Sequence, residues 1–465
     1  MTTDDTNFDF LYDTPLPEDR IATHEQPLSD HSTDWGTPEG EGAMPDAVVW
    51  PVSTEEVAAV LAGANERGVP VTPYAAGTSL EGHAVPVEGG ISMDMTKMDQ
   101  VVEVRPEDFQ IDVQPGALGS AVDDAAGDHG LFFPPLPSSG KISTIGGMIA
   151  NDASGMQTVK YGEIHDWVLR LEAVLADGTV IETGSRATKT SAGYNLMDLL
   201  VGSEGTLAVV TGATLELAGI PDQIRGGRII FEDRTDASAA ISDVVQWGVD
   251  VAKIELIDEL SASMANRYLD ADLPDAPMAF VEFHRNHDVE TEIEFCESIV
   301  AEYDPVDVDI GRSGREMDEM WEVREEMATA LKQYDPDLEM LTSGDVTVPI
   351  SKYADLVEHI STLEAEHDLE IPSFGHAGDG NIHYTVMVRK DDEEHRALGK
   401  RVDEEIVRHA IDLDGTSTGE HGVGMGKQQY LPDEYTEGTV DAMRAVKAAL
   451  DPNGILNPGK VFPSE

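Results

Sequence analysis

Pro73-Tyr-Ala-Ala-Gly-Thr-Ser-Leu-Glu-Gly-His-Ala-Val-Pro86 reads as the end of a strand running into a turn made of small residues. Ahead of it, Ser53-Thr54-Glu55-Glu56 opens a helix that closes at Gly68, and Val69–Tyr74 is β-like. Gly77, Thr78, Ser79 and Gly82 leave N–H groups open at the turn, enough to cradle a pyrophosphate. Two further segments share this texture. They are Pro134-Pro-Leu-Pro-Ser-Ser-Gly-Lys-Ile-Ser-Thr-Ile-Gly-Gly147 and Val201-Gly-Ser-Glu-Gly-Thr206, with Asn151-Asp-Ala-Ser-Gly155 and Lys160-Tyr-Gly162 as extra turns. None fits the Rossmann or P-loop template. Each alone reads as an ordinary connection, but the set is hard to explain as connections only.

Outward from these loops the pattern is mixed α and β. Val168–Leu175 and Thr179–Glu182 flank Asp177-Gly178, a hairpin signal, and Thr206–Leu217 is β-rich. Beyond Pro221 come two β-α-β passes of similar length. One runs Arg228–Phe231, Ala237–Trp247, Ala252–Ile257, and the other Ala279–Phe283, Thr291–Glu302, Val306–Ile310. They predict a ferredoxin-like α+β domain. A long helix is expected over Glu316–Lys332, capped by Ser313 with Glu316 three residues on. The Pro- and Asp-rich residues 1–44 are expected to wrap over the surface as an arm.

The chain has 465 residues and carries Asp+Glu 90 against Lys+Arg 30, a formal net charge of −60 spread over its whole length. Such a surface repels nucleic acid and anionic lipid. With 40% hydrophobic residues in clear periodicity, the chain is not a disordered acidic protein. The expectation is a cytoplasmic protein from a halophile, since molar salt screens self-repulsion within about 3 Å. Full stability in salt-free buffer would contradict that. No apolar run of 18 residues exists, so an integral membrane protein is not expected, and any membrane association would go through a partner. The acidic first 45 residues lack the basic and apolar regions of a signal peptide. The single cysteine, Cys296, excludes a disulfide framework and a Cys-ligated iron–sulfur cluster within this chain.

Gly375-His-Ala-Gly-Asp-Gly-Asn-Ile-His383 places two imidazoles around a glycine-broken turn, and Gly419-Glu-His-Gly422 adds a Glu-His pair. On a straight strand His376 and His383 would point to opposite faces. Gly378 and Gly380 let the backbone fold back and bring them together. Scattered histidines are usually surface or core residues. Two in one compact turn, with a nearby carboxylate, suit a borderline divalent metal with open coordination positions. His421 is then left to move protons.

Taken together, these motifs resemble the FAD-binding family related to vanillyl-alcohol oxidase, in its D-2-hydroxyacid dehydrogenase branch, over roughly residues 45–465. That branch includes D-lactate dehydrogenases, the FAD subunit of glycolate oxidase and D-2-hydroxyglutarate dehydrogenase. The glycine-rich loops resemble its flavin-binding segments. Gly375–His383 resembles its metal signature, Thr418-Gly-Glu-His-Gly422 its catalytic pair, and Asn457-Pro-Gly-Lys460 its C-terminal flavin-side motif. The resemblance implies an α+β fold. A two-lobed FAD-binding domain of PCMH type (45–220) would carry an α/β cap built on an antiparallel sheet (221–420), and 421–465 would return to the FAD domain. It places FAD against Ala76, Gly77, Thr78, Ser79, Gly82 and His83, against Pro135, Pro137, Ser138, Ser139, Ser143, Thr144 and Gly147, and against Asn151, Ser154 and Gly155. Gly205 and Leu207 would hold the adenine end, with Asn457 on the flavin side. Covalent attachment, if present, would fall to His83.

The implied reaction oxidises a small D-2-hydroxy acid to the 2-oxo acid. His376, His383 and Glu420 would ligate a divalent metal (Zn, Mn or Fe), and His421 would be the general base. Arg324 lies on the apolar stripe of Met317, Met320, Trp321, Met327, Ala328 and Leu331. A guanidinium aimed at a core must find an anion. By pattern alone, that anion is a structural carboxylate or a substrate. The family's Trp-x-x-Arg, here Trp321 to Arg324, implies the substrate carboxylate. Enzymes of the branch that take 2-hydroxyglutarate place a lysine in the segment aligned with Thr342-Ser343-Gly344-Asp345, and Ser343 stands there. They also have threonine where this chain has Ala328. Both departures favour D-lactate or glycolate over a dicarboxylate. Electrons would leave to an external acceptor: a quinone, a cytochrome, an electron-transfer flavoprotein, an iron–sulfur partner or oxygen. A homodimer is compatible with the sequence. The alternatives are a flavin oxidase, an FAD-carrying subunit of a multi-subunit glycolate oxidase, and a metal hydrolase without flavin.

Overall fold

The computed structural model describes residues 8–38, 40–269 and 271–462. The chain divides into two compact units. The first holds the chain up to Ser154, Glu163–Ile220 and everything from Glu420, and the second holds Gly155–Gly162 and Pro221–Gly419.

Two larger sheets and a two-stranded pair, Leu131–Phe132 with Ala218–Gly219, lie among the described residues of the first unit. One has four strands in the order Ile21–Ala22, Ala47–Val49, Ile91–Asp94, Val71–Tyr74, parallel except at its first pair. The helix Thr54–Arg67 packs beside it. Ser53 accepts the Glu56 N–H as N-cap, Gly68 closes the helix at φ +63°, and Val57, Val60, Leu61 and Ala64 form its buried face. The N-terminal segment differs from a surface arm. Phe10 and Leu11 are buried in this same core, Ile21–Ala22 extends the sheet, and Arg20 donates to both carboxylate oxygens of Glu56. Its Pro and Asp content masked a few well-spaced apolar anchors. The second sheet is antiparallel, with five strands in the order Val101–Arg105, Gln110–Val113, Val209–Glu216, Val168–Val174, Val180–Gly184. At the C-terminal end, Leu456 bridges to Val71, and Asn457 N–H bonds to the Val71 carbonyl at 2.9 Å.

In the second unit a seven-stranded antiparallel sheet runs Asp307–Arg312, Gln223–Ile230, Met278–Arg285, Lys253–Ile257, Ser373–Gly375, Asn381–Tyr384, Gly344–Thr347. Numbered along the chain, its first four strands stand fourth, first, third, second. With helices Arg234–Gln246 and Val289–Val300 this is the ferredoxin-like arrangement. The expected helix over Glu316–Lys332 breaks at Glu326 into Arg315–Glu325 and Met327–Lys332, and its N-cap is Gly314 rather than Ser313. One buried residue, Ala330, is out of phase with the rest. At about 100° per residue, Ala330 on an unbroken helix would stand about 140° away from Met317. Interrupting the helix lets Met317 and Trp321 on one piece and Met327, Ala330 and Leu331 on the other all be buried.

Candidate active site

Loops of the first unit meet through short polar contacts. Thr78 Oγ1 lies 3.1 Å from Ser143 Oγ, which donates to Ser139 Oγ at 2.8 Å. Ser139 belongs to the short 3-10 turn Ser138–Lys141 that follows Pro137, and Pro135 just before is buried. Thr144 N-caps the helix Ile145–Asn151 by accepting the Gly147 N–H at 3.2 Å. Asn151 donates to the Glu420 carbonyl at 2.5 Å, and Ser154 Oγ donates to Glu420 Oε2 at 3.0 Å. Gly205, at φ +67°, would bring a Cβ to 3.0 Å from Pro73, so the third loop lies close against the first. Leu207 is buried beside it, whereas Ala76 is exposed at the first turn. Gly82 also takes positive φ, and its Cβ would lie 2.9 Å from Met425 Sδ.

At the centre of these loops lies a buried pair, His83 and Glu204. The Nε2 to Oε2 distance is 3.3 Å. Burial opposes the charge on His83, but Glu204 outweighs it and holds the ring above its ordinary pKa. Glu204 is held below its ordinary value despite burial, by His83 and by the N–H groups of Val423 and Gly424 at 2.7 and 2.9 Å. Asn457 Nδ2 donates to the carbonyls of His83 and Glu204 at 3.0 and 2.8 Å. Gly422 completes the contact, because a Cβ there would meet His83, Asn151 and Glu204 at 2.8 to 3.0 Å. Lys460 Nζ donates to Val85 O at 2.7 Å, and burial pushes its pKa down to about 8. His83 Nδ1 and Asn457 Oδ1 are buried and have no hydrogen-bond partner among the described residues. Two orphaned polar atoms amid loops of small residues and exposed N–H groups fit a polar cofactor such as FAD. Glu420 and His421 are both partly buried members of this first unit, while Gly155 belongs to the second.

The second unit carries Arg324, His376 and His383. The strand Ser373–Gly375, the turn Ala377–Asp379 and the strand Asn381–Tyr384 form a tight hairpin. It sets the rings of His376 and His383 edge to face, with centroids 5.1 Å apart. Gly380, at φ +84°, makes the turn. Gly378 serves differently from the expected hinge: its Cβ would strike Ile254 and Val159 at 2.6 and 2.7 Å, so its smallness is needed for packing. His376 Nδ1 lies 2.8 Å from Glu255 Oε1. Glu255 Oε2 accepts from Arg324 Nε at 2.7 Å, with Nη2 at 2.5 Å. Burial would raise the Glu255 pKa, but Arg324 and His376 hold it below the ordinary carboxylate value. Arg324 thus has its anion within the protein, and its guanidinium lies over Phe374 at 4.6 Å.

Asp345 plays a similar part for the hairpin's other side. It is fully buried and accepts from Asn381 Nδ2 at 2.7 Å, from Gly419 N at 2.8 Å and from Thr418 Oγ1 at 3.0 Å, with His383 Nδ1 at 3.7 Å. Glu255 and Asp345 were not singled out from the sequence as functional residues. The signal was present in Lys253-Ile-Glu-Leu-Ile257, a carboxylate inside an apolar strand.

No helix among the described residues is long and apolar enough to cross a membrane. The family described as FAD linked oxidases, C-terminal domain, matches residues 220–461, and the FAD binding domain family matches residues 45–184. The chain is 38% identical to glycolate oxidase subunit GlcD of Bacillus subtilis, over 90% of this chain and 89% of that one. It is 36% identical to the mitochondrial D-lactate dehydrogenase [cytochrome] of Arabidopsis thaliana, over 90% and 74%. It is 34% identical to a D-lactate dehydrogenase of Archaeoglobus fulgidus, over 89% and 90%. Among solved structures, p-cresol methylhydroxylase shares the fold at TM-score 0.78 and 17% identity, covering 96% of this chain and 94% of that one. Alkyldihydroxyacetonephosphate synthase does so at 0.78 and 18%, covering 98% and 86%. With both domains matched and full-length relatives at this identity, the chain belongs to the FAD-linked oxidases, in their D-2-hydroxyacid dehydrogenase branch, and is an FAD-dependent oxidoreductase.

Proposed function

We propose that the protein is a dehydrogenase that oxidises D-lactate or glycolate to the 2-oxo acid, with a divalent metal assisting. The observation that carries the metal part is the His376/His383 pair, edge to face and backed by the buried carboxylates Glu255 and Asp345. A metal-ligating imidazole typically has its second nitrogen held by a carboxylate, as Glu255 holds Nδ1 of His376 at 2.8 Å, while Asp345 lies 3.7 Å from Nδ1 of His383, beyond hydrogen-bond reach. His376 and His383 are the proposed ligands, with Glu420 as the third, a set suited to Zn, Mn or Fe. FAD, when bound, would supply the hydride acceptor, and a metal held by His376, His383 and Glu420 would supply a Lewis acid for the substrate's hydroxyl and carboxylate. His421 takes the hydroxyl proton as general base. Arg324 steadies the substrate carboxylate with the N–H groups that Glu255 does not use.

Ser343 and Ala328 offer no charge to a distal carboxylate, which supports a monocarboxylate substrate. A single cysteine, Cys296, cannot hold an iron–sulfur cluster, so electrons would leave to an acceptor outside this chain. A quinone, a cytochrome, an electron-transfer flavoprotein or an iron–sulfur partner would serve. The name of the Bacillus relative, a glycolate oxidase subunit, favours as a second reading an FAD-carrying subunit of a larger oxidase. Metal analysis of the purified yellow protein tests the proposal. Close to one FAD and one divalent ion per chain are expected, and chelation should abolish turnover while leaving the flavin spectrum intact. Full turnover in metal-free protein would contradict the metal role.

A further inference from the structure

We propose that Glu255 is a positioning residue that orients two reactive groups at once, the metal-facing nitrogen of His376 and the substrate-facing fork of Arg324. This rests on the function proposed above. The three side chains come from three elements of the second unit. Glu255 stands mid-strand in Lys253–Ile257, His376 opens the hairpin turn, and Arg324 is on the helix Arg315–Glu325. Glu255 is 0% exposed and Arg324 3%. Its strand neighbour Phe280 packs edge-on to Trp321 at 5.9 Å, so the carboxylate sits among aromatic side chains. An anion in such surroundings persists only when both oxygens are satisfied. Each oxygen has a different partner: Oε1 meets His376, and Oε2 meets Arg324.

Two consequences follow from donor chemistry. An ionised carboxylate can only accept, so the hydrogen on Nδ1 of His376 points at Glu255, and Nε2 keeps the lone pair that a metal needs. Nε of Arg324 donates to Oε2, and Nη2 lies 2.5 Å from the same oxygen as an ion pair, so the side-on edge faces Glu255. A substrate carboxylate is therefore met by the end-on Nη1/Nη2 fork, whose direction Glu255 fixes. A shift of this one carboxylate would misalign both groups together, which a core ion pair of purely structural value would not require.

The test is Glu255→Gln in the FAD-loaded enzyme. The amide keeps the shape but turns one acceptor into a donor, so it cannot accept from both partners. Metal affinity, read without substrate by competition with a fluorescent chelator using Zn²⁺ or Mn²⁺, is expected to fall about 10–100-fold. The KM for D-lactate should rise more than kcat falls, with the flavin spectrum unchanged. Glu255→Asp, which keeps the charge but shortens the reach, should fall between wild type and the glutamine variant, and it serves alone if the glutamine variant does not fold. Wild-type metal affinity in either variant would overturn the role of Glu255. A wild-type enzyme that binds no metal at all would instead overturn the functional reading on which the role rests.

Discussion

The loops of the first unit and the sheet face of the second solve different problems with different materials. Around His83 and Glu204 the site is made of backbone N–H groups, small residues and the amides of Asn151 and Asn457, and its polar contacts are mostly to main chain. Around Glu255 it is made of charged side chains from separate elements, tied directly to one another. The first arrangement suits a large polar cofactor touched at many points. The second concentrates its effect in a few buried charges, where losing one leaves another stranded.

That contrast predicts where mutations hurt most. His421→Asn keeps the shape of the ring but not its basicity, and the reductive half-reaction should slow by about 10²–10⁴-fold. Stopped-flow flavin reduction reads this directly, and an unchanged rate would assign His421 a structural role. Arg324→Ala should strand the Glu255 carboxylate and cost about 3–5 kcal/mol of stability, besides its effect on substrate use. Urea unfolding of the FAD-loaded protein measures it. An undiminished midpoint with a purely kinetic defect would mean that Glu255 finds another partner.

Gly380→Ala should cost at least about 1–3 kcal/mol, because its φ is +84° and a Cβ would lie 2.1 Å from the Val348 carbonyl oxygen. Metal affinity should fall with it, since the same turn sets His376 against His383. Wild-type stability in that variant would show that the turn has an alternative path. The smallest expected effect is a pH dependence in the first unit, where His31 Nε2 lies 3.0 Å from Asp94 Oδ2. Burial works against the charged ring, but Asp94 and the Pro27 carbonyl raise its pKa, and Asp94 is lowered in turn despite its own burial. The histidine's contribution is fully present below about 6.5 and is lost as pH rises through its higher folded-state value. That of Asp94 is present above its unfolded value and is lost as pH falls through the depressed one. The stability gap between wild type and His31→Asn should therefore be wider at pH 6 than at pH 9. Equal gaps would show that the pair does not titrate as a unit.

The same contrast explains what could be read from the amino-acid order. The loops were legible as motifs because their pattern is local: Gly77 to Gly82, Pro134 to Gly147 and Gly375 to His383 each lie within about 14 consecutive residues. Strand and helix periodicity also sufficed for the ferredoxin-like passes. Glu255 was not legible, because its partners lie 69 and 121 residues away. Glu204 was quoted within its loop, but its pairing with His83 depends on how two loops meet. The break at Glu326 was hidden because Met317, Met320, Trp321, Met327, Ala328 and Leu331 are in phase for one continuous helix at about 100° per residue, and only the buried Ala330 is not. The N-terminal segment was misjudged because an acidic composition outweighed Phe10 and Leu11.

The central claim, that this flavoprotein oxidises a small D-2-hydroxy monocarboxylate, is tested most directly by anaerobic mixing of the FAD- and metal-loaded enzyme with single substrates while the flavin absorbance is followed. D-lactate or glycolate should bleach the flavin within turnover time, and D-2-hydroxyglutarate should do so far more slowly. No bleaching by any 2-hydroxy acid, or fastest bleaching by the dicarboxylate, would contradict it.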